Sequence, residues 1–153
     1  MEPPSSYRVS VINPSSFAIE PGRVEAAVCL ALRIESQPDA EVRVYLTSDE
    51  DVRSLNCRYR NVDEPTDVLT FPEQEDLPSG DIAIATQFAA NQAKAHGIAP
   101  ADEIVLLAIH GSLHLAGLDD ESDEERDHMV SRMNAVASIL GLPSLPNWSS
   151  VHS

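Results

Sequence analysis

Two histidines and an aspartate at the end of one apolar stretch carry the clearest chemical signal in this sequence. His110 and His114 are four residues apart, so on a helix they project from one face and can bind one ion. Gly117 can end that helix in a left-handed conformation and bring Asp120 back as a third ligand. Three protein ligands on Zn²⁺ leave a fourth position for water, as catalytic zinc sites do. The stretch therefore predicts a metalloenzyme with one Zn²⁺, or another divalent transition metal, per chain.

The residue after the first histidine argues against peptidase chemistry. The metzincin proteases share this spacing, but there a glutamate follows the first histidine and acts as the general base. In this sequence the position is Gly111. Glycine has no side chain that could take a proton, so the pattern keeps the metal site and lacks the base of the usual proteolytic route.

Composition limits what the chain can bind. At 153 residues it is long enough for one domain, which we expect over residues 1–153 with an ordered core at about 7–142. A formal net charge of −15 disfavours non-specific binding to nucleic acid, so RNA contact needs a local patch, for which Arg53, Arg58 and Arg60 are the candidates. Cys29 and Cys57 form no CxxC pair, and no apolar run spans a bilayer. These features predict a cytoplasmic protein without a membrane partner.

Apolar periodicity predicts strands and helices that alternate in the first part of the chain and are followed by two strands and then three helices. Strands are expected at Tyr7 to Ile12, Glu41 to Leu46, Asp67 to Phe71 and Asp81 to Ala85, and helices at Pro21 to Ser36, Ser48 to about Tyr59, Gln87 to His96, Asp102 to Ala116 and Ser122 to about Leu140. Pro146 to Ser153 has the composition of a frayed tail. The fold class is therefore α+β, a single small sheet of about four strands packed with helices.

Three stretches of the sequence resemble a known family. His110 to Asp119 matches the His-Gly-x-Leu-His-Leu-x-Gly pattern, ending in an aspartate, of the bacterial YbeY family of rRNA maturation factors. The block from Leu55 to Pro72 and the triplet Gly80-Asp81-Ile82 resemble two further stretches of that family. The resemblance implies a zincin-like arrangement with the metal helix beneath the sheet. It also implies a single-strand-specific, zinc-dependent endoribonuclease that acts in maturation of the 3′ end of small-subunit rRNA and in ribosome quality control. The implied partners are rRNA, the small ribosomal subunit, and ribosomal or assembly proteins.

The sequence departs from the family at the third ligand. Asp120 stands where the family usually has a third histidine. Aspartate is also a zinc ligand, but it lowers the net charge of the ion with its ligands by one unit, which affects metal preference. His128 on the last predicted helix is the alternative third ligand, although the spacing after Gly117 favours Asp120. Asp119 is better suited to orienting a histidine through a hydrogen bond than to binding the metal itself. It is also a weak candidate for the general base.

Arg60 is the residue that the resemblance places beside the metal as the catalytic group that holds the scissile phosphate. A guanidinium offers a fork of donors that matches two phosphate oxygens and stabilises the charge that develops in phosphoryl transfer. The structural alternative for Arg60 is a salt bridge to Asp63 or Asp67.

Two other functions stay open on sequence alone. One is a ribosome-assembly factor whose metal site is mainly structural, and the other is a metallohydrolase of another substrate. An assembly factor needs neither an open coordination position nor Arg60, so these two features discriminate between the hypotheses.

Overall fold

Strands and helices follow one another in the order that the sequence predicts. The computed structural model describes residues 6–143, 148 and 150. Within them the elements are, in order, β1 (Tyr7–Ile12), α1 (Pro21–Ile34), β2 (Ala40–Thr47), α2 (Asp49–Arg60), β3 (Val68–Pro72), β4 (Gly80–Ala85), α3 (Thr86–His96), α4 (Pro100–Leu115) and α5 (Asp123–Ile139). The expected fold class, a small α+β domain with a four-stranded sheet, is confirmed.

The sheet separates two apolar layers of unequal size. Its strand order is β1-β2-β4-β3, with β3 antiparallel to β4 and the other pairs parallel. Successive side chains of a strand point to opposite faces. Accordingly, Ile82 and Ile84 of β4 join the larger core with α1, α4 and α5, whereas Ala83 and Ala85 join a smaller cluster with α2. The larger layer therefore holds the predicted metal helix against the sheet.

At Gly111 the backbone of helix α4 packs directly against the sheet. A Cβ atom at this position would lie 2.9 Å from Cγ2 of Ile82 on β4. Nearly every residue of α4 is buried, which follows from a sequence that is apolar around the whole helix. Gly111 therefore sets how closely the histidine-bearing helix approaches β4.

The predicted helix ends follow from local hydrogen bonds. The side chain of Ser48 accepts a hydrogen bond from the backbone N–H of Asp51 at the start of α2. Ser122 and Glu125 form a capping box at the start of α5, in which each side chain accepts from the backbone N–H of the other residue. Gly97 ends α3 with a φ of 72°, a left-handed conformation that glycine adopts without strain. The capping signals in the sequence are thus confirmed.

The prediction of a frayed tail at Pro146 to Ser153 is wrong for the two residues of it that the structure describes. Trp148 is 4% exposed and Ser150 is 4% exposed, and Trp148 belongs to the larger apolar core. The other residues of the predicted tail lie outside the described part of the chain. The composition of this segment is that of a loop, and tertiary contacts override it at these two positions.

None of the described helices is by itself long and apolar enough to cross a bilayer, and α3 with α4 reaches that length and composition only as a pair bent by 107°.

Replacing Gly111 by alanine should destabilise the fold. The added methyl group would clash with Ile82, so we expect the free energy of unfolding to fall by roughly 1–3 kcal/mol in spite of the better helix propensity of alanine. Gly22→Ala in α1 is the matched control, because a Cβ there has no atom within 4 Å, and it should be neutral or slightly stabilising. Urea unfolding of the metal-free protein measures both effects.

An Ile82→Ala background separates this clash from other causes. Alanine at 82 removes the side-chain atoms that the new methyl group would meet, so Gly111→Ala should cost less there than in the parent. Equal stability of Gly111→Ala and Gly22→Ala in the parent would show that the close approach of α4 to β4 is not required.

Candidate metal centre

His110 and His114 meet at the last two turns of α4. Their Nε2 atoms are 3.0 Å apart, and their rings stand nearly perpendicular, with an interplanar angle of 86°. Nδ1 of His114 lies 2.9 Å from the carbonyl oxygen of Leu118 and donates a hydrogen bond to it, which leaves the lone pair on Nε2 facing His110. The predicted spacing on one helix face thus brings two imidazole nitrogens together.

A glycine turn carries the chain back to this pair. The N–H of Gly117 donates to the carbonyl of His114, and that of Leu118 donates to the carbonyl of Leu113. These two bonds define a Schellman motif, and Gly117 has the required positive φ, 100°. Asp120 then places Oδ2 at 3.4 Å from Nε2 of His110 and 3.3 Å from Nε2 of His114.

The three atoms fit a metal ion. A tetrahedral zinc site with bonds of about 2.0–2.2 Å separates its ligand atoms by roughly 3.3–3.6 Å, close to the distances between these three residues. Oδ2 of Asp120 is buried and accepts no hydrogen bond from any residue that the structure describes. A buried carboxylate oxygen that faces two imidazole nitrogens is an environment that a cation stabilises. His110, His114 and Asp120 could therefore hold one metal ion.

The electrostatics of the site keep His110 neutral. Burial, and then the neighbouring His114, lower the pKa of His110 well below its ordinary value, and Asp120 only partly opposes this shift. A metal requires the unprotonated imidazole, so a depressed pKa reduces competition between protons and the ion. The His110 side chain is 3% exposed and that of His114 is 25% exposed, so solvent reaches the site from the His114 side.

A cleft of about 320 Å³ opens beside the three residues. It is lined by Arg60, Val68, Leu69, Thr70, Pro72, His110, His114, Asp119, Asp120, Glu121 and Ser150. Arg60 is the one arginine or lysine in this lining, as far as the described residues show. A ligand in the cleft would therefore lie between the candidate metal ligands and one guanidinium group.

Arg60, at the end of α2, reaches across to the edge strand β3. Its Nη2 donates to the carbonyl oxygen of Thr70 at 2.8 Å, and its guanidinium carbon lies 5.8 Å from the ring centroid of Phe71. In the described part of the chain Arg60 makes no salt bridge: Asp63 pairs with Arg53 at 2.9 Å instead. Arg60 is exposed, so its remaining N–H donors face the cleft or solvent.

The other predicted residues lie away from the three-atom cluster. Arg58 lies over the ring of Tyr59 and does not line the cleft, so the three arginines do not form one patch around it. Asp119 is exposed and lines the cleft, but no hydrogen bond joins it to a histidine within the described residues. His128 is exposed on α5 and is not part of the cluster.

Comparison with known proteins identifies the family. The family model described as Endoribonuclease YbeY matches residues 16–141. The chain belongs to the YbeY family. An endoribonuclease YbeY from Sulfurovum sp. is 40% identical over 118 residues, which are 72% of this chain and 79% of that protein. One from Chloroflexus aurantiacus is 36% identical over 150 residues, 90% of this chain and 97% of that protein. The solution structure of a Thermotoga maritima protein is similar with a TM-score of 0.61 and 27% identity, covering 89% of this chain and 92% of that one.

The YbeY match contains the candidate ligands and Arg60 but ends before two residues that sequence reasoning missed. Trp148 and Ser150 lie beyond residue 141, and both are buried beside the cluster. Trp148 contacts the His110 ring, and Ser150 lines the cleft. Glu103, the partner of Trp148, is buried in the first turn of α4, where acidic residues are common on solvated helices, so its burial left no signal in the sequence.

Removal of any one of the three clustered side chains should release the metal. His110→Ala, His114→Ala or Asp120→Ala leaves two ligands, so affinity should fall further than the roughly 10- to 100-fold typical of losing a group that only supports a ligand. His128→Ala is the control and should bind like the parent. Elemental analysis by mass spectrometry after dialysis measures this. Full metal content in Asp120→Ala together with loss of metal in His128→Ala would show that His128, and not Asp120, is the third ligand.

Proposed function

We propose that this chain is a zinc-dependent endoribonuclease whose active site is the cleft between the His110, His114 and Asp120 cluster and Arg60. The observation that carries the proposal is the convergence of three metal-ligand atoms within 3.0–3.4 Å of one another beside a cleft that holds one guanidinium. Membership of the YbeY family, whose members carry the name endoribonuclease, supports RNA as the substrate.

The side chains divide into those that hold the ion and one that holds the substrate. A divalent cation at this position supplies Lewis acidity toward a phosphate oxygen and lowers the pKa of water. His114 presents Nε2 in a fixed tautomer because Nδ1 is engaged by the Leu118 carbonyl. Arg60 donates one hydrogen bond to the carbonyl oxygen of Thr70, and its remaining N–H donors are available to two oxygens of a phosphodiester. Arg60 would then stabilise the negative charge that develops as the phosphodiester is cleaved.

Two features of the structure oppose a peptidase. At Gly111, the position of the missing general base, a Cβ atom would lie only 2.9 Å from Cγ2 of Ile82, so a glutamate there would not fit. A peptide commonly binds by pairing with an exposed strand edge. The edge strand beside this cleft is β3, and Arg60 already occupies the Thr70 carbonyl on it. The cleft is therefore better suited to a phosphodiester than to an extended peptide.

A purely structural metal site is also disfavoured. Structural zinc sites are closed by four protein ligands, whereas the described residues supply three, and the side chain of His114 remains 25% exposed on the cleft side. This arrangement leaves room for a reacting group. It therefore favours catalysis over an assembly factor in which the ion only stabilises the fold.

We further propose single-stranded precursor small-subunit rRNA as the substrate, the small ribosomal subunit as the partner, and the cytoplasm as the location. The resemblance to the YbeY family supports these assignments. The net charge of −15 repels RNA, and Asp119 and Glu121 line the cleft, so a partner has to help to bring the RNA in. We propose that the whole chain works as one endoribonuclease domain.

The sharpest test of this function is Arg60→Ala. Cleavage of a single-stranded RNA should fall by roughly 10²-fold or more, the scale of losing one electrostatic contact with a developing charge, while metal content stays at the parent level. Arg60→Lys should restore only part of the rate because lysine lacks the bidentate fork. Arg58→Ala is the matched control, an exposed arginine of the same helix that does not line the cleft.

Single-turnover cleavage with metal-loaded protein gives the comparison, and a metal-depleted parent gives the baseline. If Arg60→Ala cleaves RNA at the parent rate, Arg60 does not take part in catalysis. If the metal-depleted protein cleaves RNA as fast as the parent, and Zn²⁺ does not raise that rate, the metal-dependent function itself is overturned.

A further inference from the structure

The indole ring of Trp148 packs against the His110 ring. The two ring centroids are 5.4 Å apart with an interplanar angle of 60°, an edge-to-face arrangement. Trp148 is the only tryptophan of the chain and is 4% exposed. It lines a small cavity together with His110, Asp120 and the methionines Met129 and Met133 of α5. The indole thus fills the space between the metal helix and the last helix.

A buried carboxylate fixes the position of this indole. Nε1 of Trp148 donates a hydrogen bond of 3.0 Å to Oε1 of Glu103, which is 0% exposed. Glu103 stands seven residues before His110 on α4, so the two side chains lie on the same helix face. Nδ1 of His96 lies 3.1 and 3.0 Å from the two oxygens of Glu103. Glu103 therefore holds both His96 and Trp148.

The hydrogen bond to Glu103 makes a tryptophan more than an apolar filler at this position. Burial raises the pKa of Glu103, and the hydrogen bonds from His96 and Trp148 oppose that shift. A buried carboxylate that loses a donor is destabilised, because no water replaces the lost bond. Another apolar ring could pack on His110, but it would leave Glu103 with one donor fewer.

A second contact ties the same part of the chain to the opposite wall of the cleft. Oγ of Ser150 donates a hydrogen bond of 2.8 Å to Oδ1 of Asp67, which is fully buried just before β3. The same oxygen of Asp67 accepts the backbone N–H of Val68 at 2.8 Å. Trp148 and Ser150 thus contact both α4 and the start of β3, the two elements that border the metal cluster.

We propose that Trp148 is a positioning residue for the metal centre: anchored by Glu103, it holds the His110 imidazole in the orientation that directs Nε2 toward His114 and Asp120. This role rests on the proposed metal site. The indole is one of the groups that limit rotation of the His110 ring, and an imidazole that rotates more freely binds an ion less tightly. Groups that orient metal ligands typically contribute 10- to 100-fold to metal affinity.

Substitutions at 148 test the proposal by metal affinity rather than by activity. Trp148→Ala should weaken Co²⁺ binding by roughly 10- to 100-fold. Trp148→Phe keeps a ring against His110 and loses the donor to Glu103, so its affinity should lie between those of the parent and the alanine variant. Phe17→Ala is the matched control, a partly buried aromatic residue between β1 and α1, and it should leave Co²⁺ affinity unchanged.

The parent protein provides a readout that does not depend on a variant that folds. The centroid of the sole indole lies 5.4 Å from that of the His110 ring, so bound Co²⁺ should quench tryptophan emission. In a Co²⁺ titration, the quenching should have the same midpoint as the rise of the visible absorption band of the bound ion. Emission that does not respond while Co²⁺ binds would overturn the proposal, as would parent-like affinity in Trp148→Ala. A parent that binds no Co²⁺ would overturn the proposed metal site and this inference with it, so the two failures are distinguishable.

Discussion

The close packing of α4 on β4 is the constraint on which the rest of the structure depends. Gly111 lets the helix backbone approach Ile82 more closely than a side chain would allow, and this sets the depth at which the neighbouring His110 is buried. Because α4 is buried, the rotamers of the histidines in its last two turns are restricted by packing. The same contact removes space for a side chain at the position of a peptidase base. Fold stability and reaction class are therefore linked through one glycine.

The parts of the molecule that could be predicted from the sequence are those that local interactions determine. Strand and helix periodicity, the capping box of Ser122 and Glu125 and the turn at Gly117 all involve residues within one or two turns of each other. The candidate ligand cluster belongs to the same class, since His110 and His114 share a helix face and Asp120 follows a turn whose geometry glycine specifies. A short stretch of sequence therefore contains most of the information needed to build this cluster.

The residues that sequence reasoning missed are brought together by tertiary packing. Trp148 bonds to Glu103 across 45 positions, and Ser150 bonds to Asp67 across 83 positions, so no local pattern connects either pair. The segment from Pro146 has the composition of a loop, which conceals the burial of Trp148 and Ser150. The partner of Arg60 was also beyond sequence reasoning. The backbone carbonyl of Thr70, not a carboxylate, accepts its hydrogen bond, and backbone acceptors leave no signature in side-chain identity.

The central claim, that His110, His114 and Asp120 bind one catalytic metal ion, is tested most directly by X-ray absorption spectroscopy combined with elemental analysis of the purified chain. We expect one divalent metal per chain and a first coordination shell of nitrogen and oxygen at about 2.0–2.2 Å that includes imidazole scattering. A chain without stoichiometric metal, or a shell that contains sulfur from Cys29 or Cys57, would contradict the account.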